Sequence, residues 1–328
     1  MQELIFVTAQ PDVPYFHWQC EVYAHNFEKQ GIKPSQIYMI FGMVLGETSP
    51  SESALKFKEK GYNVFFYVDD RDKKHYQASI KPYLIYRWLD ENPNYGNLFF
   101  LHDADIIFKD KPNYDNFIDD NIIYVADTKG YIGYNYINGC CERYKSAYQN
   151  QYVDLLVEMT DVLGIPIDCL KSNEDSSGGG QYIIKKTNAD FWKKTYIDSN
   201  RLYDTLLNYD RKFQISFGGI QIWTAEMWSL LWNLWCFEKE TKIIDELNFS
   251  WATDSVDIYE TKPILHMAGI LDSMKHNRFY KGQFIDINPI EKLRQNPNFF
   301  DYVDKQNATI KYVEVIKSLV KKQITDYL

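Results

Sequence analysis

The sequence predicts an α/β protein: a mixed, mainly parallel sheet flanked by helices, with a helical extension at the C-terminal end. Three observations carry this. Short runs with no polar residue, such as Leu4-Ile5-Phe6-Val7 and Leu98-Phe99-Phe100-Leu101, read as strands buried on both faces. Such runs alternate with stretches of helical apolar spacing in the order β-α-β-α-β-α-β up to Asp105. The 328 residues are 45% hydrophobic, ample for the core of one large domain or two small ones.

Residues 4–7 are the first expected strand, leaving into a polar loop, 8–12, and ligands in doubly wound sheets sit beyond such strand ends. A helix over 15–30 carries Trp18, Val22 and Phe27. A second strand covers 37–41, and a helix over 51–60 takes Ser51 as its N-cap. A third strand, 64–68, runs into Asp69-Asp70-Arg71-Asp72. The next helix, 81–89, tolerates Pro82 in its first turn. Residues 98–101 follow as a strand that ends on Asp103-Ala104-Asp105, and Ile106-Ile107-Phe108 comes directly after. Beyond that point a strand is expected at 122–126, irregular surface at 131–144 and a helix at 152–163. The segment 173–180, NEDSSGGG, reads as a loop entering a strand at 181–185. Helices are expected at 190–207 and 220–236, a short strand around 263–267 ending at His266, and polar helices from 289 onward.

A formal charge of −9 argues against broad binding of nucleic-acid backbones. Tyr 26, Phe 20 and Trp 8 supply rings suited to cores and to sugar-binding surfaces. Five cysteines without a CxxC pair read as reduced thiols of a cytosolic protein. No run approaches about 18 apolar residues and no basic leader is seen, so neither signal peptide nor membrane contact is expected.

Asp103 and Asp105, one residue apart at a strand exit between apolar runs, call for a cation. Hard oxygen ligands at an open site suit Mg²⁺ or Mn²⁺; the plainer alternative is a turn with two exposed acids. Gly178, Gly179 and Gly180 allow close backbone approach to a ligand, or simply a flexible bulge. His266 ends an apolar strand and is either a further metal ligand or a satisfied structural histidine. Lys275, His276, Arg278 and Lys281 follow it, near a diphosphate or on a solvated loop. Glu226 sits in the apolar stretch WTAEMWSLLWNLW, where an unpaired acid is costly unless it is functional or faces solvent. Of Trp223, Trp228, Trp232 and Trp235, most are expected in the core.

A strand ending in DxD, a Gly-rich segment, an acidic helix and a late His-x-x-Gly together resemble a GT-A type nucleotide-sugar glycosyltransferase. The stretch 7–26, VTAQPDVPYFHWQCEVYAHN, with Pro14-Tyr15 and Trp18-Gln19-Cys20, is similar to the opening of the plant hydroxyproline O-arabinosyltransferase and peptidyl-serine galactosyltransferase group. Glu226-Met227 followed by an aromatic also looks like that group. The resemblance implies a GT-A domain over 1–285, with a nucleotide-binding half at 1–110 and a sugar and acceptor half at 111–285, followed by a helical extension at 286–328. It implies that Asp103, Asp105 and His266 hold Mn²⁺ or Mg²⁺. Thr8, Ala9 and Gln10 would lie against the nucleoside of a UDP-sugar. Gly179, Gly180 and Gln181 would lie near the transferred arabinose, galactose or glucose, with Lys81, Gly269 and Lys281 as further donor contacts. Glu226 and Asp254 are the candidate catalytic carboxylates, with Asp257 beside them. The plant proteins carry a membrane segment and this sequence does not; His102 also precedes the acidic motif here. The expected setting is the cytoplasm of a bacterium or a virus-infected cell, and the acceptor a glycan, a protein hydroxyl or a hydroxymethylated DNA base. A DNA acceptor calls for a basic groove, for which Arg143, Lys145, Lys171, Lys185, Lys186, Arg211 and Lys212 are available. The competing readings are a metal-dependent phosphohydrolase with Asp103 as nucleophile and a non-catalytic binding module.

Overall fold

A computed structural model describes residues 3–326. Strand β1 (Ile5–Pro11) lies inside the main sheet, with both its edges paired. On one side it runs parallel to β2 (Ile37–Met43), which is parallel to β3 (Asn63–Val68). On the other it runs parallel to β4 (Leu98–Leu101). β5 (Ile106–Phe108) leaves this sheet, β6 (Ile123–Asp127) returns to it, and β7 (Gly178–Lys185) lies antiparallel between β4 and β6. β8 (Thr241–Ile243) closes the seven-stranded order β3-β2-β1-β4-β7-β6-β8. β9 (Phe249–Trp251) and β10 (Ile264–His266) join β5 in a second, three-stranded sheet.

The apolar runs are continuous because both faces are covered. Phe6 points into a core built with Tyr23 and Phe27 of the helix Pro14–Lys29, while Ile5, Val7 and Ala9 point into another built with Leu84 and Trp88 of the helix Ile80–Glu91. Period-two alternation thus places apolar residues on both sides. Ser51 caps the helix Glu52–Glu59, its hydroxyl accepting from the Ala54 amide, as expected. No described helix is long and apolar enough to cross a membrane.

Three expectations need correction. Residues 8–11 are not a loop: Thr8, Ala9 and Gln10 continue β1, in register with Met39, Ile40 and Phe41, and only Asp12 lies beyond the strand. Residues 131–144 are not irregular but lie in the helices Lys129–Ile132 and Tyr134–Tyr148, the latter burying Ile137, Cys140, Cys141 and Tyr144 at helical spacing. The three glycines are strand, not loop. A Cβ on Gly178 would lie 2.4 Å from both the Ala126 carbonyl oxygen and Val125 Cγ2, so β6 passes too close for any side chain. Gly180 has φ +84°, which also favours glycine.

The tail is helical, as expected, but far from merely polar. The helix Thr309–Asp326 buries Tyr312, Val313, Ile316, Leu319 and Val320 in a cluster with Trp18, Val22 and Leu265. The indole of Trp18 donates to the Phe284 carbonyl at 3.0 Å, fastening the segment after β10 to the first helix.

Candidate active site

The site forms where the chain leaves the main sheet. The His102 amide still donates to Val7, extending β4 by one step; Asp103-Ala104-Asp105 then turns into β5. β5 pairs antiparallel with β10, which sets Ile106 opposite His266. The Met267 amide donates to the Asp105 carbonyl at 3.0 Å, so the late histidine is locked beside the acidic pair. His266 Nε2 lies 3.5 Å from Asp103 Oδ2 and 3.3 Å from Asp105 Oδ1. One ligand atom from each of the three residues falls within 4.8 Å of the others. The Trp251 ring stacks on the imidazole, 5.9 Å away and inclined by 15°, and limits its rotation.

Two lysines approach the carboxylates. Lys81 Nζ lies 2.7 Å from Asp103 Oδ1 and 3.6 Å from Glu226 Oε2. Lys281 pairs with Asp105 Oδ2. Burial alone would raise the Asp105 carboxyl, but Lys281 and His266 override it and hold it well below the usual carboxylate range. Asp103 is lowered in the same way: burial opposes, and the charges of Lys81 and His266 prevail. Both are therefore anionic at neutral pH. Burial would lower Lys81, yet Asp103 and Glu226 push it up. Two carboxylates and an imidazole on one side of an open cavity fit Mn²⁺ or Mg²⁺, and this donor set gives such an ion a partly neutralised seat.

Glu226 behaves differently. It lies in the first turn of the helix Ala225–Cys236, is 4% exposed, and its Oε1 has no hydrogen-bond partner. Burial raises its carboxyl above the usual range, and Lys81 only partly offsets this. Tyr76 fixes the start of its helix: its phenol accepts from the Glu226 amide at 2.8 Å and donates to the Trp223 carbonyl at 2.7 Å.

These groups line one cavity of about 660 Å³. It collects Ala9, Gln10, Lys81, Asp103, Asp105, Gly180, Glu226, His266, Gly269 and Lys281 from the sequence-derived candidates. Gln10 reaches it because β1 is longer than expected, and its Nε2 is buried without a partner. Asp257, Lys275, His276 and Arg278 do not line it, and four further candidates also lie elsewhere. Thr8 is buried, and its hydroxyl donates to Gln10 Oε1. Gly179 backs the cavity wall: a Cβ there would meet Tyr182 Oη at 2.6 Å and Met227 Cε at 2.8 Å. Gln181 is fully buried, one step along β7 from the wall residues Gly180 and Tyr182, and strand alternation turns it away from them. Asp254 is away from the cavity; its Oδ2 accepts from the Trp251 amide at 2.8 Å and holds the turn after β9. None of the lysines and arginines expected to form a basic groove lines the cavity, and Lys185 is buried against Asp120 at the far end of β7. Sequence reasoning missed the wall residues Gln77, Tyr131, Gln221 and Trp251. Gln77 and Tyr131 lie in short helical turns, Gln221 in a loop and Trp251 in a three-residue strand, where neither spacing nor charge marks a role. Trp228, Trp232 and Trp235 are core, as expected, but Trp223 is 60% exposed.

No protein-family model and no curated protein matches this chain. The fold has distant likenesses among solved structures. The apo structure of the bifunctional glycosyltransferase WbbM shows 11% identity and a TM-score of 0.44 over 93% of this chain and 52% of that one. This chain thus spans about half the length of WbbM. The galactosyltransferase LgtC in complex with donor and acceptor sugar analogues shows 12% identity and a TM-score of 0.41, over 89% of this chain and 99% of that one. Apo mouse xyloside xylosyltransferase 1 shows 10% identity and a TM-score of 0.39, over 81% and 98%.

Proposed function

We propose that this protein is a GT-A type, divalent-metal-dependent glycosyltransferase that moves a sugar from a UDP-sugar to an acceptor hydroxyl. The observation that carries the reading is the convergence of Asp103, Asp105, His266, Lys281 and Glu226 on one cavity. The acids and the histidine come from distant parts of the chain, in the order DxD, Gly-rich strand, acidic helix, His-x-x-Gly. A phosphohydrolase needs only the acids and a cation; it does not call for a third, buried carboxylate on the same cavity.

Asp103, Asp105 and His266 would hold Mn²⁺ or Mg²⁺, which supplies Lewis-acid stabilisation of the leaving diphosphate. Lys281, paired with Asp105, would add a second positive charge beside the same oxygens. Ala9 and Gln10 meet the nucleoside at the end of β1, and Gly180 leaves room for the sugar. The Glu226 carboxylate accepts the proton of the acceptor hydroxyl. The acceptor oxygen then bonds to the anomeric carbon as the bond from that carbon to the diphosphate oxygen breaks, and the diphosphate leaves with the electron pair. A carboxylate raised toward neutrality suits that exchange better than an ordinary one. The transferred sugar would be arabinose, galactose or glucose.

The test is thermal denaturation with a panel of UDP- and GDP-sugars, with and without Mn²⁺. A ligand at about 100 times its Kd adds about 2.7 kcal/mol to native stability. One UDP-sugar is expected to raise the melting temperature with Mn²⁺ and to lose that effect in Asp103→Ala. If no nucleotide-sugar stabilises the wild type, the transferase reading fails.

A further inference from the structure

Building on the transferase reading, we propose that the acceptor is a neutral saccharide and that Trp223 is the platform on which its terminal sugar ring sits. Trp223 lines the cavity yet is 60% exposed, whereas Trp18, Trp88, Trp192, Trp228 and Trp232 are all under 2% exposed. An indole left open on the wall of a cavity presents a broad apolar face to whatever ligand enters it.

The indole is held in place. Its ring stands at 81° to that of Tyr76, with centroids 5.6 Å apart, and Tyr76 is itself stacked on Tyr203 at 4.2 Å. The Tyr76 hydroxyl ties the backbone of Trp223 to that of Glu226, so the open ring keeps a fixed relation to the carboxylate with the unpartnered oxygen. The adjoining wall offers neutral polar groups, Gln77, Gln221 and Thr224. An apolar face beside amides and one carboxylate matches a sugar ring, with its C–H face on the indole and its hydroxyls at the amides.

The same wall is poorly suited to a phosphodiester. Among the described residues, Lys81 and Lys281 are the only lysines or arginines lining the cavity, and both are engaged by carboxylates. The chain carries a net charge of −9, and a nucleic-acid acceptor draws its affinity from cations around the site.

The full chain would be probed on a printed array of neutral oligosaccharides in buffer containing UDP and Mn²⁺, with a duplex bearing 5-hydroxymethylcytosine as competitor. The wild type is expected to bind a subset of glycans and the duplex not to displace it. Trp223→Ala, shown to be folded by circular dichroism, is expected to weaken that binding by about tenfold or more, and Trp223→Phe to recover part of it. Glycan binding unchanged in Trp223→Ala would overturn the proposal, as would a wild type that binds the duplex and no glycan. A wild type that shows the Mn²⁺-dependent UDP shift but binds no glycan defeats the saccharide subsite and leaves the transferase. One that binds glycans without the shift defeats the transferase and leaves the subsite.

Discussion

Glu226 and His25 show how burial sets the behaviour of single side chains. Replacing Glu226 by Gln removes the proton acceptor while keeping the shape. Sugar transfer to acceptor is expected to fall by about 10²–10⁴ in kcat, read from steady-state product formation. A Gln variant with wild-type kcat would remove Glu226 from the chemistry. His25 lies outside the site, 5% exposed, with Nε2 3.1 Å from the Ser318 hydroxyl. Burial lowers its pKa to about 4, helped by Lys322 and Lys29 and opposed by Glu28 and Glu21. The unfolded chain, with its histidine near the ordinary 6.5, therefore takes up the proton first as pH falls. His25 thus favours the folded state fully above about pH 6.5, and that contribution is lost on the way down to about 4. Urea melts between pH 7 and 4 should show wild-type stability declining more steeply than that of His25→Gln, by roughly 1–3 kcal/mol over the interval. Parallel curves would assign the acid sensitivity to other groups.

Strand β7 makes a strict local demand on sequence at Gly178. Gly178→Ala pushes a methyl into the β6 carbonyl of Ala126, and is expected to destabilise the fold by about 2–4 kcal/mol, seen as a lower denaturant midpoint with unchanged slope. An unchanged midpoint would mean that β6 gives way freely. The glycines were legible in the sequence as a close-approach signal, but their neighbour was not, since β6 lies more than fifty residues earlier in the chain. Much of the first half could be read directly: β2, β3 and β4 are continuous apolar runs, and Ser51 marks its helix correctly. The helix Tyr134–Tyr148 was hidden because its Tyr, Asn and Gly content resembles a loop, although Ile137, Cys140, Cys141 and Tyr144 already repeat at helical spacing. In the site, Asp103, Asp105 and His266 were legible because each ends or follows an apolar run. Asp254 was equally attractive as an acid, and only tertiary structure shows its carboxylate spent on a turn.

The sheet and the tail are joined through one aromatic cluster. Trp18 packs edge-on against Phe279, Phe284 and Tyr312, with centroids 6.0, 6.3 and 6.5 Å away. Trp18→Ala is expected to cost about 3–5 kcal/mol, measured by thermal or urea unfolding. Because Lys281 lies between Phe279 and Phe284, the same change should also weaken Mn²⁺-dependent UDP binding, giving a smaller thermal shift at equal ligand. Loss of stability with the full shift retained would uncouple the tail from the site.

The bond from Trp18 to Phe284 spans 266 residues. During synthesis the first helix emerges with its apolar side uncovered, and at about 5–20 residues per second it waits roughly 15–50 s for that partner to be made. Contacts of such long separation slow folding, and exposed aromatic surface in the interval favours aggregation. The nascent chain is therefore expected to depend on chaperones until the segment around Phe284 leaves the ribosome, and slower translation should lengthen its period of risk.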